Sequence, residues 1–346
     1  SKLVVPGTTL ALVAGCEVEI YPLVRRNEMK TTKVSNKSSQ YWVISIMTLI
    51  PTIGCSESSE LVASTQTWED IAQYFITPDI CQDTEGPDCT KLRLGDSHLT
   101  TIAPERGKLF ACRSGNPNAP GSHRNKITWI NDTEGTWNLL AKPFLPAGSF
   151  SPGGGVSSVI ESGTTRTVSG NNLPIDGKIG DWPMTDYPAL SAIDGNPGIP
   201  SENNFSFTLQ LNPTEAANAS CIDLGPIGMT LNGVVLYDAV DARGNDAVAH
   251  EIVDVFGGHP AQSDYHYHFV PERLDEVPPL SDGHSGLIGY IRDGFGLYGY
   301  NGIGAKELSN EDLDECHGHS STPLGYHYHA TIEYPYTIGC YRGTPT

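Results

Sequence analysis

Tyrosine and histidine alternate in two short runs, Tyr265-His266-Tyr267-His268 and Tyr326-His327-Tyr328-His329. A period of two belongs to an extended strand, whose successive side chains leave on opposite faces. Each run therefore predicts a strand with both imidazoles on one face and both phenols on the other. Crowded imidazoles oppose one another's charging, and a divalent metal relieves that crowding by coordination.

The two runs sit inside a wider concentration. Nine of the 11 histidines fall between His250 and His329, far more than an even spread would place there. If the two strands lie side by side, His266, His268, His327 and His329 converge on at least one metal ion. His259, His284, His317 and His319 are further candidate ligands, and His250 completes the nine. Imidazole donors suit copper, zinc, iron and nickel, and the usual affinity order puts divalent copper ahead of zinc. Copper or zinc is thus the expected cofactor. The alternating tyrosines are expected to pack rather than react. Asp293, Asp314 and Glu315 are expected to support the ligands from behind. Cys316 beside His317 offers a softer ligand, but disulfide pairing suits an exported chain better.

Composition decides the surroundings of these strands. With 37 Gly and 25 Pro in 346 residues, the chain must turn often. Short alternating runs such as Ile127-Thr128-Trp129-Ile130 and Phe205-Ser206-Phe207-Thr208-Leu209-Gln210-Leu211, with others at 164–168 and 234–237, read as half-buried strands. The expected fold is mainly β: an antiparallel, sandwich-like domain with long loops and few short helices. One such helix is expected from Thr67 to Phe75, capped by Thr67 with Glu69 and Asp70 behind it. A formal net charge of −19 repels nucleic acid and anionic lipid, so neither is an expected partner. Asp264-Tyr265-His266-Tyr267-His268 returns as Gly325-Tyr326-His327-Tyr328-His329, 61 residues on. Read alone, so short an echo points to convergence on one local chemistry rather than duplication.

The amino end carries the signs of export. Met29 opens a stretch with Lys30, Lys33 and Lys37, followed by an apolar run over 41–54 and then Cys55. That order makes 29–55 an export signal rather than a spanning helix. Gly54 before Cys55 is similar to a lipoprotein signal, although Thr52 stands where that pattern prefers Leu or Val. A lipid anchor at Cys55 would then be the one expected link to a membrane; cleavage nearby by ordinary signal peptidase is the alternative. Residues 1–28 read as upstream or added sequence, with Val13-Ala14-Gly15-Cys16 a competing lipobox. Residues 56–126 read as an N-terminal tether and disulfide-bearing segment, and 127–346 as the main domain. Six cysteines remain beyond Cys16 and Cys55, and an even number suits an oxidising compartment. Cys81–Cys89 is the expected local closure and Cys316–Cys340 a second bridge, across the second histidine run.

Together these residues resemble the YHYH domain family. The resemblance extends to the run from Leu287 through Arg292-Asp293-Gly294 to Gly299, to Leu313-Asp314-Glu315-Cys316-His317-Gly318-His319, and to Tyr334-Pro335-Tyr336-Thr337-Ile338-Gly339-Cys340. Asn172-Leu173-Pro174, Asn196-Pro197 and Leu231-Asn232-Gly233-Val234 also look like the family, so the resemblance covers roughly 127–346. It implies an exported protein, periplasmic, lipid-anchored or extracellular, and a metal role. Where many relatives carry Asn after the Cys of the Asp-Glu-Cys motif, this chain has His317, which either adds a ligand or makes the local site different.

Two functions follow. The first is an extracytoplasmic metal-binding protein with a histidine-rich site. The second is a metal-dependent hydrolase or lyase acting on a small-molecule ester or a polysaccharide, in which the metal activates water or polarises a carbonyl. A metal-free Ser-His hydrolase lacks its Gly-x-Ser-x-Gly elbow, because Gly283-His284-Ser285-Gly286-Leu287 has no final glycine. Ligand count separates the first two: a closed four-ligand site favours structure or storage, an open position favours catalysis.

Overall fold

Both alternating runs are strands, and they lie in one mixed sheet. The computed structural model describes residues 75–82, 86–148, 154–271 and 273–346. The expected signal at 29–55, the segment 1–28, the tether up to 74 and the helix from Thr67 all lie outside the described residues, apart from Phe75 at that helix's end. Five two-residue strands come first: β1 (Leu92–Arg93), β2 (Leu99–Thr100), β3 (Leu109–Phe110), β4 (Ile130–Asn131) and β5 (Thr136–Trp137). Next comes an antiparallel meander of β6 (Ser157–Ser162), β7 (Thr165–Gly170) and β8 (Phe205–Gln210). The expected strands at 164–168 and 205–211 are thus present within a residue or two. Ile127-Thr128-Trp129-Ile130 is strand only at its end, because the Ile127 N–H closes a tight turn onto Arg124 O at 3.1 Å.

The remaining eight strands are β9 (Pro226–Thr230), β10 (Val235–Tyr237), β11 (Gly258–Ala261), β12 (Asp264–Tyr267), β13 (Leu287–Ile291), β14 (Gly296–Tyr298), β15 (Gly318–Ser321) and β16 (Gly325–His329). They form one sheet in the order β11-β12-β10-β9-β13-β14-β16-β15. The fold is mainly β, as expected, but two of these pairings are parallel: Leu236 opposes Tyr267 across β10 and β12, and Leu297 opposes Tyr328 across β14 and β16.

That strand order reads the same from either edge. β9, β10 and β12 recur 61 residues later as β13, β14 and β16, and His259 opposite His266 recurs as His319 opposite His327. The four-residue echo is therefore one part of a structural repeat, not isolated convergence. The halves meet where β9 runs antiparallel to β13. A Cβ on Gly228 would stand 2.3 Å from Tyr290 O, and one on Gly289 would stand 2.3 Å from Met229 O. No real Cβ tolerates such a distance, so a glycine at each position lets the two halves join.

The sheet buries both faces. On one side Ile227, Leu236, Tyr265, Tyr267, Leu297, Tyr326 and Tyr328 enter a core that begins at Ile80 and ends at Tyr341. All described residues belong to the unit Val62–Thr346, so the segment before 127 supplies part of that same core. On the other side Met229 and Val235 pack with Val168 and Leu209 of the meander. Three disulfides tie the loops: Cys81–Cys89, Cys112–Cys221 and Cys316–Cys340. The two expected bridges are both there.

Candidate metal centres

The tyrosines hold the histidine strands in place. Tyr265 donates to Asp254 Oδ2 at 2.7 Å, and Tyr326 donates to Asp314 at 3.0–3.1 Å. Tyr267 donates to Lys178 O at 2.8 Å and meets Asn232 Nδ2 at 3.1 Å; Tyr328 donates to Asp293 Oδ2 at 2.5 Å. All four rings are buried on the core face. Each run is thereby pinned from below, and its imidazoles are fixed on the opposite face. Asp293 and Asp314 act on the strands through these phenols, one step removed from the rings.

The histidines do not converge on one point. Four strands separate β12 from β16, so His266 and His268 gather in one place and His327 and His329 in another. The expected single four-histidine cluster becomes two centres. At the first, His259, His266 and His268 bring one ring nitrogen each to within 4.8 Å of the others. At the second, His284, His319, His327 and His329 do the same. His317 joins neither. It sits at φ +73°, where β15 is entered, and its Nε2 meets Thr331 Oγ1 at 3.0 Å. Gly257 holds the matching left-handed position ahead of β11, at φ +85°. The position asks for a residue that tolerates that conformation, not for a ligand. His250 is also elsewhere, with Nε2 2.9 Å from Asp96 Oδ2.

Within each centre the ring orientations are set by backbone carbonyls. His266 Nδ1 lies 2.8 Å from Asp264 O, and His268 Nδ1 lies 2.5 Å from Asp238 O. In the second centre His327 Nδ1 lies 2.8 Å from Gly325 O, His329 Nδ1 2.5 Å from Gly299 O and His284 Nδ1 2.8 Å from Ser285 O. A carbonyl can only accept, so each Nδ1 carries the proton and each Nε2 presents a lone pair. These Nε2 atoms face one another, joined in the second centre by that of His319. His266 Nε2 and His268 Nε2 are 3.0 Å apart, while His327 Nε2 stands 3.0 Å from His284 Nε2 and 3.1 Å from both His319 Nε2 and His329 Nε2. Two acceptors at that distance repel unless a cation lies between them. Around a metal with nitrogen ligands at about 2.0–2.1 Å, neighbouring donors stand about 2.9 Å apart at right angles and about 3.3 Å apart at tetrahedral angles. The four closest spacings, 3.0–3.1 Å, fall in that interval.

Electrostatics favour the neutral, ligating form. Burial pulls His266 and His327 down to about 4 and His268 to about 3, and it also holds His329, His319 and His259 below the ordinary imidazole value. Tyr237 stacks on His266 with centroids 3.9 Å apart, and Tyr298 lies 5.1 Å from His327 at the matching place in the second half.

The first centre has further polar neighbours, drawn from other parts of the chain. His259 Nε2 lies 3.2 Å from Glu251 Oε2, and its buried Nδ1 has no hydrogen-bond partner. Asp194, Glu251 and His259 form a further group of donors within 4.8 Å. Lys142, fully buried, donates to Glu251 O at 2.8 Å, and burial brings its ammonium down to about 7. A cavity of about 430 Å³ reaches this centre, lined by all three histidines, Glu251, Tyr237 and Asn196 among others. Tyr237 recurs as Tyr298, and Glu251 recurs 60 residues on as Glu311, which is exposed; Lys142 and Asp194 come from earlier in the chain.

Residues 206–307 match the family model described as YHYH protein. That match assigns the segment to the YHYH family. The YHYH segment holds the first histidine run and His284, and it ends before β15 and β16. No curated protein and no solved structure matches the chain.

Proposed function

We propose that this chain is an extracytoplasmic metal-binding protein that takes up copper or zinc at its two histidine centres. One observation carries the reading. Five imidazoles donate Nδ1–H to backbone carbonyls, so their Nε2 lone pairs are aimed at one another in two places. Nitrogens about 3.0 Å apart leave no room for water between them, and a cation satisfies several lone pairs at once. The orphaned Nδ1 of His259 fits the same account, since it is the nitrogen left free to ligate beside Glu251. When bound, the metal supplies Lewis acidity and a positive charge that replaces solvent. The chain's own part is to fix ring orientation through the carbonyls and to keep the imidazoles neutral through burial. Three disulfides support an oxidising compartment, and a net charge of −19 speaks against nucleic acid as a partner.

Elemental analysis of protein purified without added chelator, followed by calorimetric titration with copper(II) and zinc(II), tests the proposal. Two metal equivalents per chain are expected. Protein that carries no metal and takes up neither ion would refute it.

A further inference from the structure

The two centres descend from the same strand plan, yet they offer a metal different things. The second presents four imidazoles, His284, His319, His327 and His329. Four nitrogen donors satisfy a tetrahedral or square-planar ion, leaving nothing to exchange. Among the described residues the first presents three, His259, His266 and His268, with no fourth donor in the same group. The difference traces to the loop ahead of the central strands. His284 stands three residues before β13; the matching place, three before β9, is held by Asp223. Asp223 has a side chain 75% exposed and pairs outward with Arg113 at 3.2 Å. It therefore gives nothing to the first centre.

The missing ligand is on the side that is open. The cavity of about 430 Å³ is lined by His259, His266 and His268 themselves, so an ion held by them faces it directly. Cavities of about 300–1,000 Å³ are the usual size for small-molecule sites. Its polar lining includes Asn116, Asn196, Asp241 and Glu251, and Glu251 Oε2 lies 3.2 Å from His259 Nε2. A carboxylate behind a ligating histidine fixes the ring and raises its basicity. Three histidines, an oriented ring and one vacant position are the features that separate reactive metal sites from structural ones.

We propose that the two centres divide the work: the four-histidine centre retains its metal as a structural ion, and the three-histidine centre binds a small oxygen-donor ligand, such as a carboxylate, at the position facing the cavity. This rests on the metal-binding reading above, and it adds that only one of the two ions has an exchangeable place.

Copper-loaded full-length protein tests it, with azide as the probe and the azide-to-copper charge-transfer band as the readout. Metal content is measured first, so a chain that holds no copper refutes metal binding itself before any azide is added. With two coppers bound, one azide per chain is expected, and acetate should displace it in competition. H268Q should abolish the azide band while keeping the copper of the second centre, and H266Q should repeat that result should H268Q fold poorly. H329Q should lose one copper yet keep the azide band. Azide at both coppers or at neither in the unaltered protein, failure of acetate to compete, or a band lost in H329Q and kept in H268Q would each overturn the division.

Discussion

Replacing Tyr328 with phenylalanine removes one oxygen from the second histidine strand and leaves the ring in place. That oxygen donates to Asp293 Oδ2 at 2.5 Å and accepts the Arg342 N–H at 2.7 Å. Asp293 retains the Gly343 N–H at 2.9 Å and the Phe295 N–H at 3.3 Å, so its carboxylate is not stripped bare. A hydrogen bond to a charged group contributes about 1.5–3 kcal/mol, and a buried donor left without a partner costs about 1–3 kcal/mol. Since volume is conserved and no cavity opens, the expected loss is about 3 kcal/mol, a large part of the ~5–15 kcal/mol of a whole domain. The effect should also be local. His327 and His329 flank Tyr328, so metal at the second centre should weaken by about 10–100-fold, the usual cost of losing an outer support. The first centre, four strands away in the sheet order, should keep its affinity. Urea unfolding of the metal-free Tyr328→Phe protein gives the first number, and metal titration gives the second. A stability loss below about 1 kcal/mol would refute the anchoring argument, as would equal weakening at both centres.

Three further outcomes are expected. His266→Ala and His327→Ala should each lose one metal equivalent independently, whereas His98→Ala and His123→Ala should lose none; metal analysis of the four proteins decides it. Burial lowers His268 to about 3 in the folded state, so its contribution is full above the unfolded imidazole value of about 6.5 and declines as pH falls below it. The stability of the metal-free protein relative to H268Q should therefore fall by about 1.4 kcal/mol per pH unit as pH drops from about 6.5 to 3, and denaturation midpoints that shift in parallel would contradict this. Cys112–Cys221 spans 109 residues and Cys81–Cys89 spans 8, so chain entropy predicts a loss of about 5 kcal/mol for Cys112→Ser with Cys221→Ser against about 2–3 kcal/mol for the short bridge, measured as unfolding free energies.

Several features were legible because they are local. Alternation of Tyr and His fixes which side chains share a face, whatever the strand pairs with, so the separation of core phenols from clustered imidazoles follows from spacing alone. Cys81 and Cys89 are close enough in the chain to find each other early, and Cys316–Cys340 brackets the second run. The repeat was also written in the sequence, but thinly. Ile227-Gly228 matches Ile288-Gly289, Gly233 matches Gly294, and Leu236-Tyr237 matches Leu297-Tyr298, each 61 residues on. A comparison of the flanks at that offset would have found it.

What the sequence could not determine is which strands are neighbours. Period-two patterning orients a strand, but sheet order depends on contacts between distant segments, and no spacing encodes it. Two runs that look like halves of one site are kept apart because β10, β9, β13 and β14 lie between them. Tertiary structure alone brings His284 from a loop to complete the second centre, sends His250 to Asp96, turns His317 into a backbone position and sets Glu251 behind His259. The chemistry of the imidazoles was fixed by residue type; how many of them meet at each point was decided by the order of the sheet.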